Sequence, residues 1–317
     1  VKIFVIGGAG FIGSHVVDTY IQAGHEVVVL DNFRSGNRQQ IHHQAKVYEV
    51  DIYRDQEYLE SIFENEQPDI VNNHAAQKSV PDSVKDPITD AQINIMGPLH
   101  LLELCVQNGV KKFIFSSSGG ALASETENIP TTEEGEPQLI SPYAISKFIL
   151  EKYLRFYYLT YGLQYTVLRY ANVYGPRQVG EGDCGAIPIF MDNLVNHRPS
   201  YLFAYSDMPK GTTRDYVYVE DVAKANLLAL HKGNQAILNI GTGQEMYTED
   251  LYELIQEVVM KRIPLIRETE RIGDVKRSAL DSIKAKNILG WESKTDLKEG
   301  LLKTYQWMCN NPTNERV

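Results

Sequence analysis

Five β-prone residues, Lys2-Ile3-Phe4-Val5-Ile6, run without a break into Gly7-Gly8-Ala9-Gly10-Phe11-Ile12-Gly13. The first stretch suits a strand buried on both faces. Apolar residues then recur at helical spacing, Val16, Val17, Tyr20 and Ile21, and Gly24 marks the stop. Glycines at 7, 10 and 13 allow a tight strand-to-helix turn whose bare backbone can approach a pyrophosphate. The anion's charge would meet the helix N-terminus. A purely structural glycine turn could show the same spacing, but a strand before it and a helix after it favour a nucleotide. Gly7, Gly10, Phe11, Ile12 and Gly13 are therefore candidate cofactor contacts.

The pattern repeats along the first half. Glu26 to Asp31 reads as a second strand, and Asp31 at its end can accept from both hydroxyls of a ribose. A 2′-phosphate would meet a like charge there, so NAD is expected rather than NADP, although Arg34 lies near. Val47 to Val50 reads as a third strand, followed by Asp51-Ile52. Asp51 suits the adenine amino group or, alternatively, the N-cap of the next helix. Asp69 to His74 is a fourth strand leading into Ala75-Ala76-Gln77-Lys78. Small residues there let the backbone lie close to a flat ligand, and Lys78 is a candidate partner for ribose or phosphate. His74 reads as a satisfied strand-end histidine. A helix is expected from about Ile88 to Asn108; Asn94, a weak helix former in its middle, suggests a polar packing task near the site. Lys111 to Phe115 forms a fifth strand and Gln164 to Tyr170 a sixth. Strands alternating with helices imply an α/β fold with a Rossmann-type, doubly wound parallel sheet, which binds ligands at the C-terminal strand ends.

The chemistry-bearing stretch is Ser141-Pro142-Tyr143-Ala144-Ile145-Ser146-Lys147, read with Ser116-Ser117-Ser118. At ~3.6 residues per turn, Tyr143 and Lys147 share one helix face. A cation beside a tyrosine favours the phenolate and lowers its pKa, and a serine hydroxyl from another element could hold the oxygen whose proton moves.

A chain of 317 residues has room for one large α/β unit and an interleaved smaller lobe. The expected division is a dinucleotide domain over 1–172, with 215–242 returning to it, and a substrate lobe from 173–214 and 243–317. A net charge of −10 argues against nucleic-acid or membrane-surface partners, while local arginines can still hold an anionic substrate. Cys105, Cys184 and Cys309 form no metal-binding spacing. They suit a reduced, cytoplasmic setting without metal. No apolar run is long enough to span a bilayer, and the immediate opening strand leaves no signal peptide expected.

Taken together, the chain resembles the extended short-chain dehydrogenase/reductase superfamily. The likeness rests on Gly7-x-x-Gly10-x-x-Gly13, Asp31, Asp51-Ile52, the alanines after His74, the serine cluster and Tyr143-x-x-x-Lys147. It continues in Leu168 to Arg177, Arg214 to Val222, Asn239 to Gly243, and Arg271-x-Gly273-Asp274-Val275. Nucleotide-sugar enzymes, above all UDP-glucose 4-epimerases and their UDP-N-acetylhexosamine relatives, are the most similar members. The resemblance implies Tyr143 as the base, Lys147 as its electrostatic partner and ribose anchor, and Ser118 or Ser117 as the hydroxyl on the substrate oxygen. It adds Asn32, Ile52, Ala75, Ala76, Asn94 and Tyr170 to the NAD contacts. It places Asn172 on the substrate diphosphate, Arg214 and Arg271 as its clamp, and Asp274 on the uridine ribose. Ser278 stands where pocket width is set: a tyrosine there would admit plain hexoses only, and serine leaves room for an N-acetyl group. A flap over residues 175–185, uracil contacts from 187–195 and a homodimer through the helices near 88–108 and 143–161 are further implications. The family's Val-Tyr-Gly after the serines is replaced by Gly119-Gly120-Ala121-Leu122-Ala123-Ser124, and no extra acid for eliminating water is visible. The implied reaction inverts C4 of a UDP-hexose through a transient 4-keto sugar. A uronate epimerase or decarboxylase, a 4-keto reductase, and a non-catalytic NAD-sensing protein remain as alternatives.

Overall fold

The computed structural model describes residues 1–122, 128–179, 185–270 and 275–311. Seven strands form its central sheet. From edge to edge they are Lys46–Glu49, Glu26–Asp31, Lys2–Ile6, Ile70–Asn73, Lys112–Ser118, Gln164–Tyr170 and Ala236–Ile240, and every adjacent pair is parallel. The chain builds outward from Lys2–Ile6, then crosses back to add Ile70–Asn73 on the other side. That reversal opens a crevice at the C-terminal ends of the first and fourth strands, directly above the glycine turn.

Alternate residues of each strand face opposite layers. Ile3, Val5, Val27 and Val29 bury against Val16, Val17 and Tyr20 of the helix Phe11–Gln22 and against Val222 and Ala225 of Val219–Ala229. Phe4, Ile6, Val28 and Leu30 bury against Leu59, Phe63, Leu101, Leu150 and Leu154 on the other side. A third core, built from Tyr174, Ile187, Phe190, Leu251, Tyr252, Ile255 and Leu301, lies in the residues expected to form the smaller lobe.

Two elements depart from expectation. The helix predicted over about 88–108 is interrupted: Pro87–Ala91 and Gly97–Gln107 are α-helical, but Gln92–Met96 forms a π turn. Pro98 has no N–H for the carbonyl of Asn94, and its ring would crowd that oxygen, so the wider turn relieves the clash. The helix Ile283–Leu289, expected on the smaller lobe, instead buries Ala285 and Leu289 with the first layer. It covers the strand Ala236–Ile240, which would otherwise be a bare sheet edge.

Helix Pro142–Tyr161 carries the key residues, and its ends are set by sequence. The Ser141 hydroxyl accepts from Ala144 N at 3.2 Å, Pro142 occupies the first turn, and Gly162 closes the helix at φ 77°. No helix among the described residues is long and apolar enough to cross a membrane, and none of their side chains form a group of three or more potential metal ligands.

Candidate active site

The glycine turn closes against the fourth strand's exit. Gly7 has φ +74°, and a Cβ there would lie 2.6 Å from Ala75 N; a Cβ on Gly13 would lie 2.2 Å from Gly7 O. Gly10 caps the following helix without a side-chain hydrogen bond, and no acidic residue sits in its first turn. Its N–H groups and the helix dipole thus remain available to an anion. Ala9 N and Phe33 N donate to Asp31 at 3.0 and 2.8 Å. Burial pushes the Asp31 carboxyl upward in pKa, and the two backbone donors only partly offset it. A Cβ on Gly36 would come within 2.9 Å of Asp31 Oδ1, so the carboxylate is covered by bare backbone. This is a cradle shaped for a pyrophosphate and a ribose, and it fits a dinucleotide.

Beyond Asp31, Asn32 Nδ2 donates to Asp51 Oδ2 at 2.9 Å, and Tyr53 N and Arg54 N donate to Asp51 Oδ1 at 3.0 and 3.1 Å. Asp51 therefore caps the turn after its strand. Burial pushes its pKa up, but Asn32, Tyr53 and Arg54 together bring it below the usual value. Asn32 and Asp51 line a cleft of about 560 Å³ with Arg34, Tyr53, Gln92 and Ile93, large enough to admit a purine base. Ile52 is buried beneath Gly97, where an added Cβ would fall 2.9 Å from Ile52 Cδ1. Asn94 accepts from Gln77 N and donates to Gln77 O, both at 2.9 Å, and donates to Asp90 Oδ1 at 2.8 Å. Its amide thus holds the loop containing Ala75 and Ala76, and Lys78 projects exposed from that loop.

At the far end of the crevice, the Ser118 hydroxyl lies close enough to the Tyr143 phenol to pull its pKa down. Lys147 Nζ donates to Ser116 O at 3.0 Å and lies 4.9 Å from the Phe115 ring centroid and 5.7 Å from that of Tyr143. The expected depression of the tyrosine is not realised. Burial pushes the phenol up to about 12, Ser118 pulls it down, and the charge of Asp90 adds to the rise. Lys147 goes down to about 8 through burial, with Asp90 and Glu151 opposing. Desolvation outweighs the attraction that sequence spacing suggested.

Strand alternation separates the serines. Ser117 Oγ donates to Glu151 Oε1 at 2.8 Å, and Glu151 is gripped by Arg169 at 2.9 and 2.6 Å. Ser117 is committed to that buried pair, whereas Ser118 lies on the side of the phenol and lowers its pKa. Ser118 Oγ also accepts from Ala121 N at 3.2 Å, at the start of the short helix Gly119–Leu122 that stands where Val-Tyr-Gly was absent. A Cβ on Gly119 would strike Leu280 at 2.2 Å, so glycine lets the segment containing buried Ser278 approach the serine strand.

Asn172 faces this place: a Cβ on Gly120 would lie 3.7 Å from its Oδ1. Arg214 is steered by two carbonyls, Thr213 O and Val275 O, each 2.7 Å from one guanidinium nitrogen. Among the described residues it has no acidic partner. Arg271 and Asp274 lie outside the described residues, as does part of the expected flap. Tyr170 spends its hydroxyl on Asn226, and its buried ring is near-parallel to His74, at 6.4 Å and 13°. His74 is not satisfied, contrary to expectation: both ring nitrogens are shielded and without a hydrogen-bond partner. Burial and then the charge of Lys147 bring its pKa down to about 3.

Sequence reading passed over Asp90 and Asp215. Asp215 accepts from Thr242 N and Oγ1, Gly243 N and Leu280 N, knitting the last sheet strand to the Ser278 segment. Its adjacency to Arg214, in the motif that runs on to Val222, was the available signal. For Asp90, the signal was its i,i+4 spacing to the out-of-place Asn94.

A family model described as the NAD dependent epimerase/dehydratase family matches residues 3–241. The UDP-glucose 4-epimerase of Thermotoga maritima, solved with UDP-glucose, is 45% identical with a TM-score of 0.94, covering 98% of this chain and 99% of that one. The Thermus thermophilus UDP-glucose 4-epimerase, in complex with NAD, is 40% identical with a TM-score of 0.93, covering 98% of this chain and 100% of that one. A UDP-N-acetylglucosamine 4-epimerase from Methanobrevibacter ruminantium, in complex with UDP-N-acetylmuramic acid, is 33% identical with a TM-score of 0.90 and covers 98% of each chain. Matched from its first sheet strand to its last, the chain belongs to the NAD-dependent epimerase/dehydratase family.

Proposed function

We propose that this chain inverts C4 of a UDP-hexose. The observation that carries the reading is the buried Tyr143 phenol beside Ser118 at the C-terminal end of the serine strand, with Lys147 Nζ 5.7 Å from the Tyr143 ring centroid and held by Ser116 O. NAD, when bound, supplies the acceptor that takes hydride from the sugar and returns it, together with a cationic ring that favours the phenolate. Gly7, Gly10 and Gly13 would hold its pyrophosphate, Asp31 a ribose, and Asn32 and Asp51 the adenine end. Ser118 orients the sugar O4 toward Tyr143. Tyr143 removes the O4 proton as C4 is oxidised and gives it back after the 4-keto sugar has turned over. Lys147 stabilises the negative phenolate. Arg214, free of any acidic partner described, holds the diphosphate with Asn172 and Arg271 while Asp274 takes the ribose. Strong grip on the nucleotide and small residues around the sugar permit that rotation. The substrate lobe would comprise 173–214 and 243–317, apart from the helix Ile283–Leu289, which packs on the sheet.

Ser278 supports acceptance of N-acetyl sugars, because its small side chain leaves volume that tyrosine would fill. A homodimer is supported by exposed apolar residues on the Pro142–Tyr161 helix, and a cytoplasmic setting by free Cys105 and Cys309. The test is to incubate purified protein with UDP-glucose, UDP-N-acetylglucosamine or UDP-glucuronate and follow the products by NMR, with and without added NAD. Conversion of UDP-glucose to UDP-galactose, with no net NADH change, is expected. Stoichiometric NADH consumption would mark a reductase, and no turnover of the acetylated sugar would remove the role given to Ser278.

A further inference from the structure

Two buried charges in this site lack partners of their own. Lys147 is 3% exposed, and its nearest polar contact is a neutral carbonyl, Ser116 O. Asp90 is fully buried; its oxygens accept from Ser146 Oγ at 2.6 Å and Asn94 Nδ2 at 2.8 Å, both uncharged. The Asn94 amide cannot be turned the other way, because its oxygen is fixed by Gln77 N and its nitrogen by Gln77 O. Asp90 therefore faces a donor there. The groups around Lys147 come from four elements. Its own helix contributes Tyr143 and Glu151, and the serine strand contributes the Phe115 ring and Ser116 O. The strand exit contributes His74, and helix Pro87–Ala91 contributes Asp90. His74 is held neutral, and the charge of Glu151 is spent on Arg169 at 2.6 Å. Among the described residues, Asp90 is the one remaining negative charge.

We propose that Asp90 is the buried counter-charge of Lys147 and a positioning residue that, through Ser146 and Asn94, ties the Tyr143 helix to the cofactor loop. A buried ammonium without an opposite charge sheds its proton, so Asp90 keeps Lys147 cationic in a dry pocket. The same charge opposes the Tyr143 phenolate, so the acid and base are tuned together.

Asp90→Asn tests this, because the amide can still accept from Asn94 and donate to Ser146 while losing the charge. Asp90 raises the pKa of both Tyr143 and Lys147, so both limbs of the pH–rate profile should move toward acid by about one unit or more. Ser146→Ala keeps the charge and should lower the profile without moving its midpoints. Unmoved midpoints in Asp90→Asn, or an equal displacement in Ser146→Ala, overturn the proposal. This arm rests on the reading of Tyr143 and Lys147 as the reacting pair. A second arm does not: the melting of Asp90→Asn, Lys147→Met and the double variant, without cofactor or substrate. The double variant should melt above Asp90→Asn, or recover folded protein if that single variant yields none. Additive losses, or a double variant that also fails to fold, overturn the counter-charge. The wild-type NMR assay judges the epimerase reading separately.

Discussion

At the residue scale, the site sets two opposed pulls on one phenol. Burial keeps the Tyr143 proton on, and Ser118 draws it off. The pulls must be balanced when a cation sits beside the ring, so proton transfer should be sharply sensitive to the hydroxyl itself. Tyr143→Phe should lose at least ~100-fold in kcat, the usual scale of general acid–base help, while calorimetry finds UDP-sugar binding little changed. Near-normal turnover would remove Tyr143 from the chemistry. The two serines should separate cleanly. Ser118→Ala should act on kcat, whereas Ser117→Ala should act on stability, lowering it by about 1 kcal/mol in urea unfolding through the lost bond to Glu151. Tyr143, Lys147 and the serine cluster were legible because their spacing encodes a shared face. The choice between Ser117 and Ser118 was not, since it depends on where the strand ends and which layer each side faces. Asp90 and His74 were hidden for another reason: burial and missing partners are properties of packing, not of local pattern.

At the element scale, the glycine turn and the strand–helix alternation were readable because each is local. A strand buried on both faces shows as an apolar run, and glycine shows where backbone must touch backbone. The π turn was harder to see, since Asn94 and Pro98 each have innocent explanations alone. Likewise Ile283–Leu289 has an amphipathic face, but nothing in it names the surface it covers. The turn also makes a strong prediction. Gly13 meets Gly7 O, a backbone atom in a segment already pinned by Ala75, so an added methyl cannot be relieved by a side-chain movement. Gly13→Ala should push the helix N-terminus away from the first strand. Overpacking of this kind costs ~1–3 kcal/mol, enough to reduce NAD affinity by roughly tenfold or more in a calorimetric titration, with far-UV circular dichroism retained. Unchanged affinity would mean that the turn does not carry the pyrophosphate.

At the scale of the whole molecule, helix Pro142–Tyr161 has two apolar sides with different fates. Ala144, Lys147, Leu150, Glu151 and Leu154 are buried toward the sheet. Ile145, Ile149, Tyr153 and Phe156 follow the same helical period on the opposite side, yet are 40, 37, 39 and 48% exposed. Ile88 and Met96, on the neighbouring interrupted helix, are exposed as well. A stripe of this size on a monomer would be an aggregation hazard, so it is expected to close against a second copy. Ile149→Asp together with Phe156→Asp should therefore shift sedimentation from dimer to monomer at micromolar concentration. A wild-type chain that sediments as a monomer would refute the pairing outright. The consequence for catalysis comes from the shared helix. Tyr143 and Lys147 sit on the inner side of the element whose outer side would be clamped, so loss of the partner should loosen the reacting groups without touching them. The double variant should lose turnover while keeping its affinity for NAD, because the glycine turn lies on a different helix and owes nothing to that stripe.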